Sequence, residues 1–209
     1  AREPWRMGVG ALAKLGRFDA SERLFALEPR AIETARLIGQ GYAPPVTSSM
    51  GRLFDAAAAL LGLSTRQHYE AQAAMEMEAL VVTPRAMEVA FRHLDGELDF
   101  SPLLGVLAEG RLSSREGAEL FHGALIEGLS QLVVRAATAQ GLDRVALGGG
   151  CMLNRILAEG LTERLQGLGL RPLLARKLPP SDGGLSLGQA AMARALAQSG
   201  NSQDFVPCV

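Results

Sequence analysis

The 209 residues are 48% hydrophobic and 21% charged, with a net charge of −1; that balance suits a globular fold of one large domain or two small lobes and excludes a disordered chain. With a pI near 6.4 and no basic cluster interleaved with aromatics, nucleic acid is not an expected partner, and no run of about 18 apolar residues suggests a membrane span. Cys151 and Cys208 form neither a disulfide framework nor a C-x-x-C pair, which fits a reducing cytoplasm, and His68, His93 and His122 stand too far apart for an H-x-x-x-H metal pair.

Pro4 suits the first turn of a helix running to about Leu15, because its missing N–H has no helical partner to lose there; Trp5 and Arg6 read as packing and a surface charge. A second helix is expected over about Arg30 to Gln40, with Ile32, Leu37 and Ile38 as its apolar face and Gly39 or Gly41 ending it. Pro44 and Pro45 then separate it from an alanine-rich helix over about Met50 to Leu63, which Thr47, Ser48 or Ser49 would cap. Arg52 opposes the helix dipole in that first turn, so it answers either to an anion or nucleotide edge or to Asp55 one turn on. The stretch from Tyr69 to Leu80 is helical by propensity, with Glu70, Gln72 and Glu76 on a solvated face, and Thr83-Pro84 breaks it.

Glu97 to Phe100 reads as a strand and Pro102 to Gly110 as a short helix. A long helix capped by Ser113 or Ser114 reaches Gln140 before Gly141, burying Phe121, Leu125, Leu129, Leu132 and Val133. His122 beside that stripe reads as a hydrogen-bonded structural histidine. Val145 to Leu147 reads as a short buried strand, and Gly148, Gly149 and Gly150 form a turn before a helix over about Leu153 to Gly167. Glycines there permit positive φ and close approach to the main chain, and a helix N-terminus favours anions, so a phosphate or nucleotide suits the turn as well as a plain tight turn does. The spacing is neither that of a Walker A loop nor of a Rossmann fingerprint. Cys151 reads as a small buried residue. A second strand over Leu170 to Ala175 beside the first leads to Pro179-Pro180-Ser181-Asp182, where Asp182 precedes a closing helix and could simply cap it; the two strand ends would face one crevice.

Five blocks in order carry a family resemblance: Arg2-Glu3-Pro4-Trp5-Arg6-Met7, Thr47 to Asp55, Tyr69 to Ala74, Gly148 to Arg155 and Pro179 to Gly184. They resemble successive blocks of HypF, the carbamoyltransferase family of nickel–iron hydrogenase maturation. The resemblance spans nearly the whole chain and implies an α/β fold: a helix-rich C-terminal lobe of an actin/hexokinase-like domain with a small β-sheet, similar to the TsaD-type tRNA threonylcarbamoyl transferases. The lobe is expected over residues 1–198 and a loose tail over 199–209.

The resemblance further implies a cytoplasmic enzyme that makes carbamoyl adenylate from carbamoyl phosphate and ATP and passes the carbamoyl group to the C-terminal cysteine of HypE, for cyanide ligand synthesis. It implies that Gly148, Gly149 and Gly150 hold the adenosine, with Asn154 in the first helical turn contacting the nucleotide, and that Ser49, Gly51, Arg52 and Asp55 lie near it. Glu70 and Gln72 become substrate-site candidates. Asp182 would help hold a divalent metal, iron or zinc, whose other ligands lie in an upstream lobe, and Mg²⁺ would accompany ATP. No catalytic residue is assigned, and the lobe alone should not complete the reaction. The alternatives are a TsaD-type or antibiotic O-carbamoyltransferase lobe, or a non-catalytic nucleotide-binding or docking module.

Overall fold

The computed structural model describes residues 2–87, 90–94 and 96–199. Helices α1 (Pro4–Lys14), α3 (Pro29–Gly39) and α6 (Ser101–Ala108) each begin with a proline in the first turn, one placement rule used three times. The sequence reading missed the short α2 (Ala20–Leu24) between the first two. In α3 the expected apolar face is corrected: Ala31 and Ala35 are its buried residues, while Leu37 is 52% exposed and Ile32 and Ile38 are half-buried. Small side chains let α3 lie close on its neighbours, a fit that a count of large apolar residues does not reveal.

Helix α4 (Met50–Leu60) runs through the core, with Ala56, Ala57, Ala58 and Ala59 all buried. Their small size lets α1 cross closely, and Gly8 of α1 sits where a Cβ would be 3.2 Å from Ala59 Cβ and 2.5 Å from the Phe25 ring. Trp5 is fully buried at the start of α1, with the Arg6 and Arg30 guanidiniums 4.7 and 5.6 Å from its ring centroid. Helix α5 (Gln72–Leu80) starts later than expected, because Ala71 adopts a left-handed φ of 60° that helical backbone excludes. Two short strands, β1 (Arg92–Leu94) and β2 (Glu97–Asp99), form an antiparallel hairpin that turns at Gly96.

Helix α7 (Ser114–Gln140) has the expected boundaries: Ser113 and Glu116 make a reciprocal capping box, and Gly141 closes it in the left-handed region. Phe121 and Leu125 are buried, whereas Leu129, Leu132 and Val133 are only half-buried. Beyond it, β3 (Arg144–Leu147) pairs in parallel with β4 (Arg171–Leu174), in the register Val145 to Pro172 and Leu147 to Leu174. The expectation of a buried strand is corrected by this sheet. Val145, Leu147, Pro172 and Leu174 are half-buried on the side of α7 and α8 (Arg155–Gly167), while Ala146 and Leu173 on the other face are exposed. Helix α9 (Leu185–Ser199) closes the described chain. Of the tail expected over 199–209, residue 199 ends α9 and the remainder lies outside the described residues. Among the described residues no helix is long and apolar enough to cross a membrane.

Candidate functional site

The parallel pairing of β3 and β4 puts both of their C-terminal ends on one side, and the two loops that leave them meet. The N–H of Gly149, φ 93°, donates to the carbonyl of Pro180 at 2.5 Å. The glycine turn and the loop carrying Asp182 are therefore joined main chain to main chain. Gly148, Gly149 and Gly150 are exposed, and a Cβ at any of them would meet nothing within 4 Å. Among the described residues no packing requires glycine at these three positions, and only Gly149 has a positive φ.

The helix after the turn differs from expectation. A 3₁₀ turn, Gly150–Leu153, intervenes, and α8 begins at Arg155 rather than Leu153. Asn154 is accordingly not in the first helical turn; it is the N-cap, 7% exposed, and its Oδ1 accepts from Leu157 N at 2.9 Å. Its Nδ2 lies 3.0 Å from His122 Nε2, so both ends of the amide are committed inside the protein. The N–H of Arg155 is also taken, by Glu78 Oε1 of α5 at 2.9 Å. The α8 N-terminus is thus largely satisfied by protein groups, whereas the main chain of Gly148–Gly150 is exposed.

Helix α4, whose N-terminal half carries most of the Ser49–Asp55 block, packs against the 3₁₀ turn Gly150–Leu153 that follows the first two glycines. Ser49 is the exposed N-cap of α4, and Gly51 and Arg52 are half-buried. Of the two readings of Arg52, the ion pair is present, with Nη1 2.7 Å from Asp55 Oδ2. Asp55 is buried and accepts from Gln67 Nε2 at 2.8 Å. Burial pushes its carboxyl above the ordinary range, against the opposing pull of Arg52 and the Gln67 bond. Burial likewise pushes up the half-buried Cys151 thiol, which keeps it protonated, in keeping with a packing role. Glu70 is exposed in the turn before α5. Gln72 opens that helix, accepting from His68 N at 2.8 Å and donating to Glu76 Oε1 at 2.7 Å, so its amide is occupied within the chain.

Asp182 does not cap α9. It is exposed and starts a 3₁₀ turn, Asp182–Gly184, with Ser181 preceding it. Among the described residues no group of three His, Cys, Asp or Glu side chains could hold a metal ion. One carboxylate is not a donor set for iron or zinc, so the described residues do not make a complete metal site.

His122, Glu78 and Gln67 escaped the sequence reading as parts of this region. His122 and Asn154 are 32 residues apart and Glu78 and Arg155 are 77 apart, and no local pattern pairs them.

The family profile described as "Carbamoyltransferase, Kae1-like Domain, second subdomain" matches residues 1–189. The chain belongs to the HypF carbamoyltransferase family. It is 50% identical over 195 residues to the carbamoyltransferase HypF of Rhizobium leguminosarum bv. viciae, covering 93% of this chain and 26% of that protein. A crystal structure of full-length HypF in a phosphate- and nucleotide-bound form superposes with a TM-score of 0.78 at 26% identity, covering 98% of this chain and 28% of that one. At 29% identity, the tRNA N6-adenosine threonylcarbamoyltransferase of Sorangium cellulosum aligns over 95% of this chain and 51% of its own length. The expected fold class holds, a helix-rich lobe with small sheets like those of HypF. The chain spans about a quarter of the length of its HypF relatives.

Proposed function

We propose that this chain is the nucleotide-binding lobe of a carbamoyltransferase that works with the other HypF domains as its partners. Adenylate lies on the main chain of Gly148–Gly150, with the Ser49–Asp55 block and the Asp182 loop at its sides. Carbamoyl adenylate, formed from carbamoyl phosphate, water and ATP with Mg²⁺ as phosphate and pyrophosphate leave, gives up its carbamoyl group to the C-terminal cysteine of HypE. The sulfur–carbon bond forms as the carbon–oxygen bond to AMP breaks, and the thiol proton is released. The carrying observation is the bond from Gly149 N to Pro180 O, which makes one bare, exposed platform from two loops at the ends of parallel strands. Asp182 stands at its edge as the single carboxylate this lobe would offer to a metal shared with another lobe.

The nucleotide-bound HypF structure, with its fold shared over 98% of this chain, supports the reading, as does the 50% identity to a HypF against 29% to the tRNA enzyme. Calorimetric titration with ATP and AMP, in the presence of the upstream HypF domains, tests it. Gly148→Ala and Gly150→Ala place a methyl in open space at backbone angles that alanine tolerates, so both variants should stay folded and lose nucleotide affinity. Unchanged affinity in both would sink the placement. Transfer to a HypE C-terminal peptide rather than to tRNA distinguishes the acceptor.

A further inference from the structure

His122 is fully buried on α7, edge-on to the Phe54 and Phe121 rings at centroid distances of 5.5 and 5.7 Å. Its protonation state follows from its partners. Asn154 Oδ1 is filled by the Leu157 N–H, so the group facing His122 is the amide NH₂, a donor only. His122 Nε2 must then be the acceptor. Nδ1, 2.8 Å from the Ala118 carbonyl, must carry the proton. Only the neutral Nδ1–H ring satisfies both contacts; an imidazolium would set an N–H against the Asn154 NH₂.

Asn154 is in turn the hinge between the glycine turn and α8: its N–H closes the 3₁₀ turn onto Cys151 O and its side chain caps the helix. We propose that His122 is a positioning residue for the nucleotide platform, holding Asn154, and through it the Gly148–Gly150 turn, in the binding geometry only while its imidazole is neutral. This inference rests on the reading of that turn as the nucleotide site. The groups packed on the ring are uncharged: α4 presents Phe54 and the cap of α8 presents the Asn154 amide, while the Arg155 side chain pairs with Glu159 instead. Glu78 of α5 is the charged group whose field reaches the ring and favours protonation, but burial outweighs it and holds the imidazole below its ordinary value of 6.5.

The test uses the full chain together with the upstream HypF domains, with AMP as probe, between about pH 5 and 8. Affinity is followed by calorimetry, and protection of the Leu157 and Gly149 amides by hydrogen exchange without ligand. In the wild type, both should fall together as pH drops below 6.5 toward the depressed histidine value. His122→Gln keeps an uncharged acceptor near Asn154, and should retain both readouts while losing their pH dependence. His122→Phe should lose roughly tenfold in affinity, about one hydrogen bond's worth, and protection at Leu157. A His122→Gln profile that still falls like the wild type's would overturn the proposal, as would unchanged Leu157 and Gly149 protection in a folded His122→Phe. If the wild type binds no AMP with the upstream HypF domains present, the nucleotide reading fails, and the ligand-free exchange profile still decides whether His122 positions the turn.

Discussion

Gly149 donates its main-chain N–H to Pro180 O across 2.5 Å, and this one bond joins the two loops that the parallel strands deliver to the same edge. Gly149 can face Pro180 because its φ is 93°. Gly149→Ala should therefore lower stability by about 1 kcal/mol through left-handed strain, although the methyl would meet no atom. Gly148→Ala, at an ordinary φ, should leave it unchanged. Thermal denaturation of the two variants side by side measures the difference.

Gly123 of α7 is a different kind of glycine. A Cβ there would lie 2.2 Å from the carbonyl oxygen of Arg85, a backbone atom tied down by the bond from Arg85 N to Glu119 O at 3.0 Å. Gly123→Ala should cost about 1–3 kcal/mol as the Arg85 backbone is pushed off α7. Gly160→Ala meets a side chain rather than backbone, Ile126 with Cδ1 at 2.3 Å and Cγ1 at 3.0 Å, and should cost less because that side chain can turn away. Urea midpoints of the pair give the comparison.

Asn154→Ala separates a structural role from a ligand contact. It removes the N-cap bond to Leu157 and leaves His122 Nε2 buried without its donor. The expected loss is about 1–3 kcal/mol of stability in the absence of any nucleotide. A variant as stable as the wild type, impaired only in binding, would restore Asn154 to the list of direct nucleotide contacts.

Asp55 gives a pH signature. Burial raises its folded pKa above the unfolded value, so the folded state binds the proton more tightly and stability from this group falls as pH rises through the carboxylate range. Asp55→Asn keeps an acceptor for Gln67 and removes the buried charge. The stability of Asp55→Asn relative to the wild type should increase from about pH 4 to 7. Denaturant titrations at those two ends check it; a relative stability that falls with pH would mean that the Arg52 ion pair, not burial, dominates.

How much of this was legible beforehand depended on the range of the interaction. The boundaries of α7 were readable because Ser113, Glu116 and Gly141 act on their own neighbours, and the β3–turn–α8–β4 order was readable because glycines and apolar runs are local marks. The start of α5 was not, since the left-handed Ala71 has no sequence signal in a stretch of good helix formers. Nor was the buried face of α3, where Ala31 and Ala35 are chosen by the closeness of neighbouring helices rather than by their own hydrophobicity.

The sequence by itself determined the helix-rich order of elements, the family blocks and the bare glycines, because capping, turn formation and backbone freedom are settled within a few residues. Only the tertiary structure decided that Gly149 meets Pro180, that Arg52 is held by Asp55, and that Asn154 turns inward to His122 while Glu78 caps Arg155. Those pairings span up to 77 residues. A hydrogen bond at that separation exists because packing places the partners together, and each polar group inside must then find whichever partner the packing has brought within reach.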